Sequence, residues 1–322
     1  MFLGVDGGGT KTEFALIDGA GHLLARHEAG SAYYLEAGLD ATRQMLQEGI
    51  SATLAAAGKR ADELSFAFLG LPSYGEDSSL KAQLDALPAG ALPAGRWRCG
   101  NDMVCGWSGS LACQDGINIV AGTGSIAYGE FAGRSARAGG WGDLFSDEGS
   151  AFWIAREGLT LFSTMSDGRA ARGPLHGLVR QHFGLSDDLD LCAAIYGTQG
   201  ATRSWVAQLA QLVFVAAEAG DSQATAIYTA AGHHLAAIVA GVFKALAVPS
   251  TESLPVSYSG GVFKSGARVL KPFEQSLAQH VPGCVLTQPR LSPVIGAALY
   301  AARCGAVPLS ESAVLQLERT AQ

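Results

Sequence analysis

Positive charge is scarce in this chain. Lysine and arginine number 22 against 29 acidic residues, which leaves a formal net charge of −7. No basic run breaks that balance, so nucleic acid and anionic membranes are poor expected partners. Charged residues of either sign make up only 16% and hydrophobic residues 48%, which excludes a disordered tail. The 6 cysteines (Cys99, Cys105, Cys113, Cys192, Cys284 and Cys304) form no C-x-x-C pair. Zinc and iron–sulfur spacings are therefore absent, and reduced thiols in a cytoplasmic protein are the simple expectation. Long apolar runs are missing as well. The longest, near Leu235 to Val248, contains Lys244 and falls short of the ~20 residues that cross a bilayer. The opening residues, MFLGVDGGGT, have neither the basic segment nor the cleavage site of a secretory signal, so export is not expected. Two familiar nucleotide motifs are also lacking: the G-x-x-x-x-G-K-[ST] loop and a G-x-G-x-x-G leading into a helix. The histidines fit no metal spacing. His176 and His182 do not share a helix face, and His233 and His234 point apart, so structural roles are expected for them.

Glycine, by contrast, is abundant. It supplies 42 of 322 residues, about 13% against a usual ~7%. Such an excess implies tight turns or close approaches of backbone to a ligand. At ~150 residues per domain the length suggests two domains. Phe2 to Val5 reads as a strand that runs into Asp6 and Gly7-Gly8-Gly9-Thr10. Phe14 to Asp18 and His22 to His27 follow as further strands, so the glycine turn joins a hairpin. Gly38 to Gly58 has helical periodicity, Ser65 to Leu71 is a strand, and Val104 to Ala112 a short helix. Gly116 to Gly129 repeats the opening grammar: an apolar run, a Gly/Thr/Ser turn, another strand. Thr10 and Thr123 occupy corresponding places, 113 positions apart, a weak internal repeat. Beyond Ala151 the chain is largely helical, with long segments at Ala207 to Ala219 and Ala224 to Ala247, a break at Pro249 to Pro255, a strand at Val256 to Gly261, and a last apolar helix at Leu291 to Ala302. The alternation indicates an α/β protein.

Each motif has a physical use. In DGGGTKT (Asp6 to Thr12), backbone N–H groups of successive glycines can converge on an anion without Cβ obstruction. Thr10 and Thr12 add hydroxyls, Lys11 adds charge, and Asp6 can hold Mg²⁺ through water. AGTGS (Ala121 to Ser125) makes the same argument for a second phosphate clamp. Asn101-Asp102 precedes a helix, and position alone favours a helix cap. GGWGDLFSDEGS (Gly139 to Ser150) combines glycines, an aromatic wall and acids that can accept hydroxyl hydrogen bonds from a sugar.

These residues together resemble the actin/Hsp70/hexokinase ATPase superfamily, through DGGGTKT, GTGS and the SGG near Tyr258 to Val262. GGWGDLFSDEGSAFW narrows the resemblance to the N-acetylglucosamine kinases of the BadF/BadG/BcrA/BcrD ATPase group, over Gly4 to Ala302. The resemblance implies two RNase H-like domains with ATP in the cleft between them. It divides the chain into residues 1–113, with a C-terminal helix near 300–322 packing back, and residues 114–299. It assigns nucleotide contacts to Gly8, Gly9, Thr10, Lys11, Thr123, Gly124, Ser125, Ala217, Gly260 and Gly261. Asp102 becomes the base, Gly140, Trp141, Gly142 and Asp147 become sugar contacts, and Asp6 the Mg²⁺ residue. The implied reaction moves the γ-phosphoryl group of ATP to the 6-hydroxyl of N-acetylglucosamine, in an enzyme that needs no nucleic acid or membrane and that the resemblance allows to be a homodimer. One departure stands out. Where the family offers an asparagine to the sugar, Gly30 to Tyr34 carries Tyr33 and Tyr34. Free glucosamine is therefore the alternative substrate. A dehydratase-activator ATPase and a sugar-sensing regulator fit less of the sequence. The first needs a shared iron–sulfur cluster that these cysteines do not suggest. The second needs a DNA-binding segment ahead of the first turn.

Overall fold

A computed structural model describes residues 1–197, 202–249 and 252–320. Two positions of the expected Pro249–Pro255 break, 250 and 251, and the last two of the expected C-terminal helix, 321 and 322, lie outside the described residues. The chain divides into two compact units, Met1–Asn118 with Gln288–Gln322, and Ile119–Thr287.

The first unit opens with β1 (Phe2–Gly7), β2 (Thr12–Ile17) and β3 (Leu23–Ala29), followed by α1 (Tyr34–Ala37) and α2 (Leu39–Ala56). β4 (Phe66–Leu71), α3 (Lys81–Asp85), β5 (Trp97–Asn101) and α4 (Met103–Leu111) complete its first pass. The sheet order is β3-β2-β1-β4-β5. β1 runs antiparallel to β2 and parallel to β4, which is parallel to β5. The central β1 is apolar on both faces, with Phe2, Leu3, Gly4 and Val5 all buried, as a strand covered on two sides must be. α2 lays Leu46, Ile50 and Leu54 into the core at helical spacing. Its Gly49 leaves room for the ring of Phe14, which a Cβ would overlap.

The second unit begins with β6 (Gly116–Ala121), β7 (Ser125–Phe131) and β8 (Arg134–Gly139). A helical layer follows: α5 (Ala151–Ser166), α6 (Pro174–Phe183), α7 (Asp190–Tyr196), α8 (Arg203–Gln208), α9 (Ala210–Glu218) and α10 (Ser222–Leu246). β9 (Leu254–Ser259), α11 (Ala267–His280) and β10 (Cys284–Thr287) finish it. Its sheet order, read from the other edge, is β8-β7-β6-β9-β10. The two sheets thus share one topology: a three-strand meander whose first strand is central, and two strands added on its far side. Thr10 and Thr123 each sit in the turn after the central strand. The internal repeat read from the sequence is this repeated architecture.

The chain then returns to the first unit with α12 (Pro293–Cys304) and α13 (Glu311–Thr320). α12 packs on β1, β4 and α4. Small residues make that packing close. A Cβ on Gly4 would overlap the backbone N of Ala298, and one on Gly296 would overlap the backbone N of Gly109. The expected boundary at 299/300 would cut this helix, whereas all of it belongs with the first unit. α10 falls where the sequence reads a long helical segment, within two residues at each end. It is continuous over 25 residues and contains an 18-residue stretch with a mean hydropathy of 1.4, long and apolar enough to cross a membrane on those criteria. It lies against α11, β7, β8, α5 and α9, with Ala231, Leu235, Val239 and Val242 buried, the place of a core helix.

Candidate active site

The carboxyl ends of β1, β4 and β5 converge in the first unit, where α/β sheets characteristically present ligand sites. β1 ends at Asp6-Gly7 and turns through Gly8, Gly9, Thr10 and Lys11 into β2. The Gly8 N–H donates to the Lys11 carbonyl at 2.9 Å, which closes the turn. None of these three glycines has left-handed backbone. Two are glycine because of crowding: a Cβ on Gly7 would come within 2.7 Å of the Gly70 carbonyl, and one on Gly8 within 2.8 Å of the Lys11 carbonyl. Around Gly9 there is only open space, so the protein's own packing does not demand glycine there. The loop after β3 is latched to this turn, since Ala32 N–H and the Ser31 hydroxyl both donate to the Gly8 carbonyl, at 3.1 and 3.3 Å.

Asp6 pairs with Gly70 in register, and Gly70 with Gly100, so the strand ends are level. Gly70 has no side chain because α4 starts against it: a Cβ would overlap Cys105 Sγ and come within 3.1 Å of Asp102 Cα. This close approach sets Asp102 beside Asp6. Their proximity is felt in the titration of Asp6, pushed up to about 7 by burial first and then by the charges of Asp102 and Glu13. The Cys105 thiol, buried and next to both carboxylates, is pushed well above its ordinary value. The cap reading of Asn101-Asp102 divides between the two residues. Asn101 does the capping: its Oδ1 accepts from Met103 N–H at 3.1 Å and its Nδ2 donates to the Tyr74 carbonyl at 3.2 Å. Asp102, at the N-cap position of α4, makes no side-chain cap bond. Its carboxylate therefore sits at the positive end of a helix without being used to close it.

Among the described residues no group of three His, Cys, Asp or Glu side chains is arranged to hold a metal unaided. Asp6 and Asp102 supply hard carboxylate oxygens whose repulsion a cation would relieve. That donor set fits Mg²⁺, which keeps several waters and takes its remaining ligands from phosphate.

In the second unit the matching turn is Gly122-Thr123-Gly124, closed by Gly122 N–H to the Gly124 carbonyl at 2.9 Å. The N-terminus of α5 is tied to it: Ala151 and Phe152 N–H donate to the Gly122 and Thr123 carbonyls at 2.8 and 3.3 Å. Ser150 caps α5 by accepting from Trp153 N–H at 3.1 Å. Ser125 N–H donates to Asp147 Oδ1 at 3.3 Å, and the Ser125 hydroxyl to the Glu148 carbonyl at 2.8 Å. Gly260, with φ of 102°, presses on the end of β6, where a Cβ would overlap the Ala121 carbonyl. Gly260 and the exposed Gly261 are thereby brought next to the second turn.

The remaining expected site residues have the following surroundings. Lys11 is exposed and ion-paired with Glu28 at 2.9 Å and Glu13 at 3.3 Å, turned onto β2 and β3. Thr12 is fully buried, and its hydroxyl has no partner among the described residues. Tyr34 is a core residue at 4% exposure whose hydroxyl donates to the Ser73 carbonyl, while Tyr33 is partly exposed. Ala217 is buried in α9. Gly140 and Gly142 have left-handed φ of 67° and 100°, and between them Trp141 stands 69% exposed with Arg137 over its ring. Asp147 differs from Trp141 in exposure. It is buried, with φ of 59°, and its carboxylate is taken by Ser125 N–H and Arg203. Burial raises its carboxyl and the guanidinium pulls it back. The sequence pattern marks neither Arg203 nor Gly70 as a site residue. A glycine at the carboxyl end of a strand is the available signal for Gly70. Arg203 lies 56 positions from Asp147 and leaves none.

Residues 3–301 match the BadF/BadG/BcrA/BcrD ATPase family. An N-acetyl-D-glucosamine kinase from Dictyostelium discoideum is 27% identical over 94% of this chain and 97% of its own. An N-acetylmuramic acid/N-acetylglucosamine kinase from Clostridium acetobutylicum is 26% identical over 93% and 97%. The crystal structure of a candidate N-acetylglucosamine kinase from Chromobacterium violaceum superposes with a TM-score of 0.73 at 28% identity, covering 93% of this chain and 98% of that one.

Proposed function

The chain belongs to the BadF/BadG/BcrA/BcrD ATPase family, and we propose that within it this protein is an ATP-dependent kinase of N-acetylglucosamine, acting at the 6-hydroxyl. One observation carries the reading: the same Gly/Thr turn recurs after the central strand of both sheets, and in the first unit it stands at the strand ends that bring Asp6 and Asp102 together. Full-length similarity to amino-sugar kinases supports the acceptor class.

Phosphoryl transfer is mainly positioning and charge stabilisation. In this reading Gly8 to Thr10 and Thr123 to Ser125 hold phosphates through backbone N–H groups and hydroxyls. Mg²⁺, held through Asp6 and water, would neutralise charge that develops on the transferred group. Asp102 accepts the proton of the sugar hydroxyl, a role worth ~10²–10⁴-fold. It stands just past the last residue of β5, and Asn101 rather than Asp102 serves as the cap of α4. Trp141 offers an exposed ring as a wall for the sugar face.

The test is ADP release from Mg-ATP with N-acetylglucosamine, N-acetylmuramic acid, glucosamine, N-acetylmannosamine and glucose. Asp102→Asn serves as the control. N-acetylglucosamine is expected to give selective turnover, and Asp102→Asn is expected to lower it by ~10³-fold, about 4 kcal/mol of barrier. Turnover with glucosamine alone would transfer the assignment to the free amine. Unaltered turnover in the variant would remove Asp102 from the mechanism.

A further inference from the structure

The second turn contains glycine, threonine and serine, and no cation within it. Directly behind it lies a buried acid. Asp147 is 1% exposed, and its Oδ1 accepts from the N–H of Ser125, the last residue of the turn. A carboxylate in that position opposes the approach of a polyphosphate to the same backbone. Arg203, from the first turn of α8, answers it. Its guanidinium pairs with Asp147 Oδ2 and reaches Asp143 Oδ1 at 3.7 Å. It also covers Gly124: a Cβ there would overlap Arg203 Nη2 and lie 2.9 Å from Asp147 Oδ2. The absence of a side chain at Gly124 lets this ion pair touch the turn.

Two further details set the arrangement apart from a surface salt bridge. Asp147 has left-handed backbone at φ of 59°, which turns its carboxylate inward to the turn, a conformation aspartate adopts more readily than most non-glycine residues. And the pair is lopsided: the acid is enclosed, while the guanidinium keeps 40% of its side chain exposed. An arginine carries five N–H donors in a planar fork, more than one carboxylate can use.

We infer that Arg203 is a positioning residue for the nucleotide, which cancels the charge of Asp147 and braces the Gly122–Ser125 turn so that the turn accepts phosphate. The inference rests on the reading of that turn as a phosphate clamp. It adds a residue and a reason for the acid beneath it: Asp147 orients the Ser125 N–H, and Arg203 removes the electrostatic penalty of having it there. Asp143 holds the guanidinium from its outer side and links it to the segment that carries Trp141.

The experiment is calorimetric titration of the full-length protein with MgADP, without sugar, for wild type, Arg203→Ala, Arg203→Lys, Asp147→Asn and the Asp147→Asn/Arg203→Ala double variant. Far-UV circular dichroism and melting curves accompany each. Arg203→Ala is expected to weaken MgADP binding by about 10- to 100-fold, the range for a charge exposed a few ångströms from an anion at intermediate screening. Arg203→Lys is expected to stay within about fivefold of wild type, because charge is kept while the fork is lost. The double variant decides between electrostatics and architecture. With the acid neutralised, loss of the arginine is expected to cost less than about threefold relative to Asp147→Asn alone, whereas a merely structural arginine would weaken both backgrounds equally. Unchanged MgADP affinity in a folded Arg203→Ala protein, or no rescue in the double variant, overturns the inference. If the wild type binds no MgADP, the phosphate-clamp reading itself fails, a separate result.

Discussion

Replacing Asp6 by asparagine isolates what a carboxylate at the end of β1 does to the fold. In the folded protein this group titrates at about 7, against an ordinary 3.8, because it is buried and faces Asp102 and Glu13. The folded state thus holds the proton more tightly than the unfolded chain does. The sign follows from linkage: the contribution of Asp6 to stability is fully present below pH 3.8 and drains away as the pH rises to about 7 and beyond, where the folded state must carry the charge as well. At about 1.4 kcal/mol per pH unit, an interval of about 3 units sets a ceiling near 4 kcal/mol. Relaxation around the ionised pair lowers that figure, so a working expectation is about 2–4 kcal/mol at pH 8. Asparagine keeps the shape and cannot ionise. Urea unfolding in the presence of a chelator is therefore expected to find Asp6→Asn more stable than wild type by that amount at pH 8. At pH 5 the gain is expected to shrink to less than half, and addition of Mg²⁺ with ADP is expected to stabilise wild type much more than the variant. The variant is also expected to lose turnover, the trade expected where a site holds charge at the expense of the fold. An equal stability difference at pH 5 and pH 8, or none at pH 8, refutes the argument that Asp6 ionises against resistance.

Gly70→Ala is expected to lower kcat by about 10²-fold with little change in nucleotide affinity, because the added methyl group overlaps Cys105 Sγ and displaces the start of α4 by the fraction of an ångström to which catalytic geometry is sensitive. Steady-state kinetics beside calorimetry read the two quantities apart. Gly296→Ala is expected to destabilise the protein by about 1–3 kcal/mol or more, since the new Cβ overlaps the Gly109 backbone N and comes within 2.6 Å of the Cys105 carbonyl. The urea midpoint measures it, and α12 can move away from α4 only by also leaving β1 at Gly4.

What is legible in the sequence follows from which interactions leave a local mark. The two glycine turns are visible because glycine is needed wherever backbone meets backbone or ligand, and at Gly7 and Gly8 the structure supplies the backbone crowding that enforces it. The doubling of the fold is visible for the same reason, through Thr10 and Thr123. The helical segments are visible in outline. α10 is longer than its purest apolar stretch because Ala224, Tyr228 and Ala231 continue its buried face. β10 and α11 leave little trace: β10 is short and only partly buried, and α11 carries Pro272 within a mostly polar helix.

The acids of Gly139 to Ser150 show where local reading stops. As a sequence block they form one set of acceptors for sugar hydroxyls, and the fold gives each a different set of protein partners. Asp147 is enclosed and committed to Ser125 and Arg203. Glu148 offers its backbone carbonyl to the Ser125 hydroxyl, and its carboxylate lies 3.5 Å from the Ser146 hydroxyl. Asp143 is partly exposed and shares Arg203 at long range. The partner that separates them sits at position 203, and a contact across 56 positions imposes no spacing that a motif could record. The same holds for Asp102, whose neighbour Asn101 takes the cap only once β5 and the Tyr74 carbonyl are in place. Chemistry that depends on which of several like residues is already occupied is decided by tertiary structure. It is for this reason that the two glycine turns are legible as motifs, while the partners of Asp147, Asp143 and Asp102 are visible only in the folded chain.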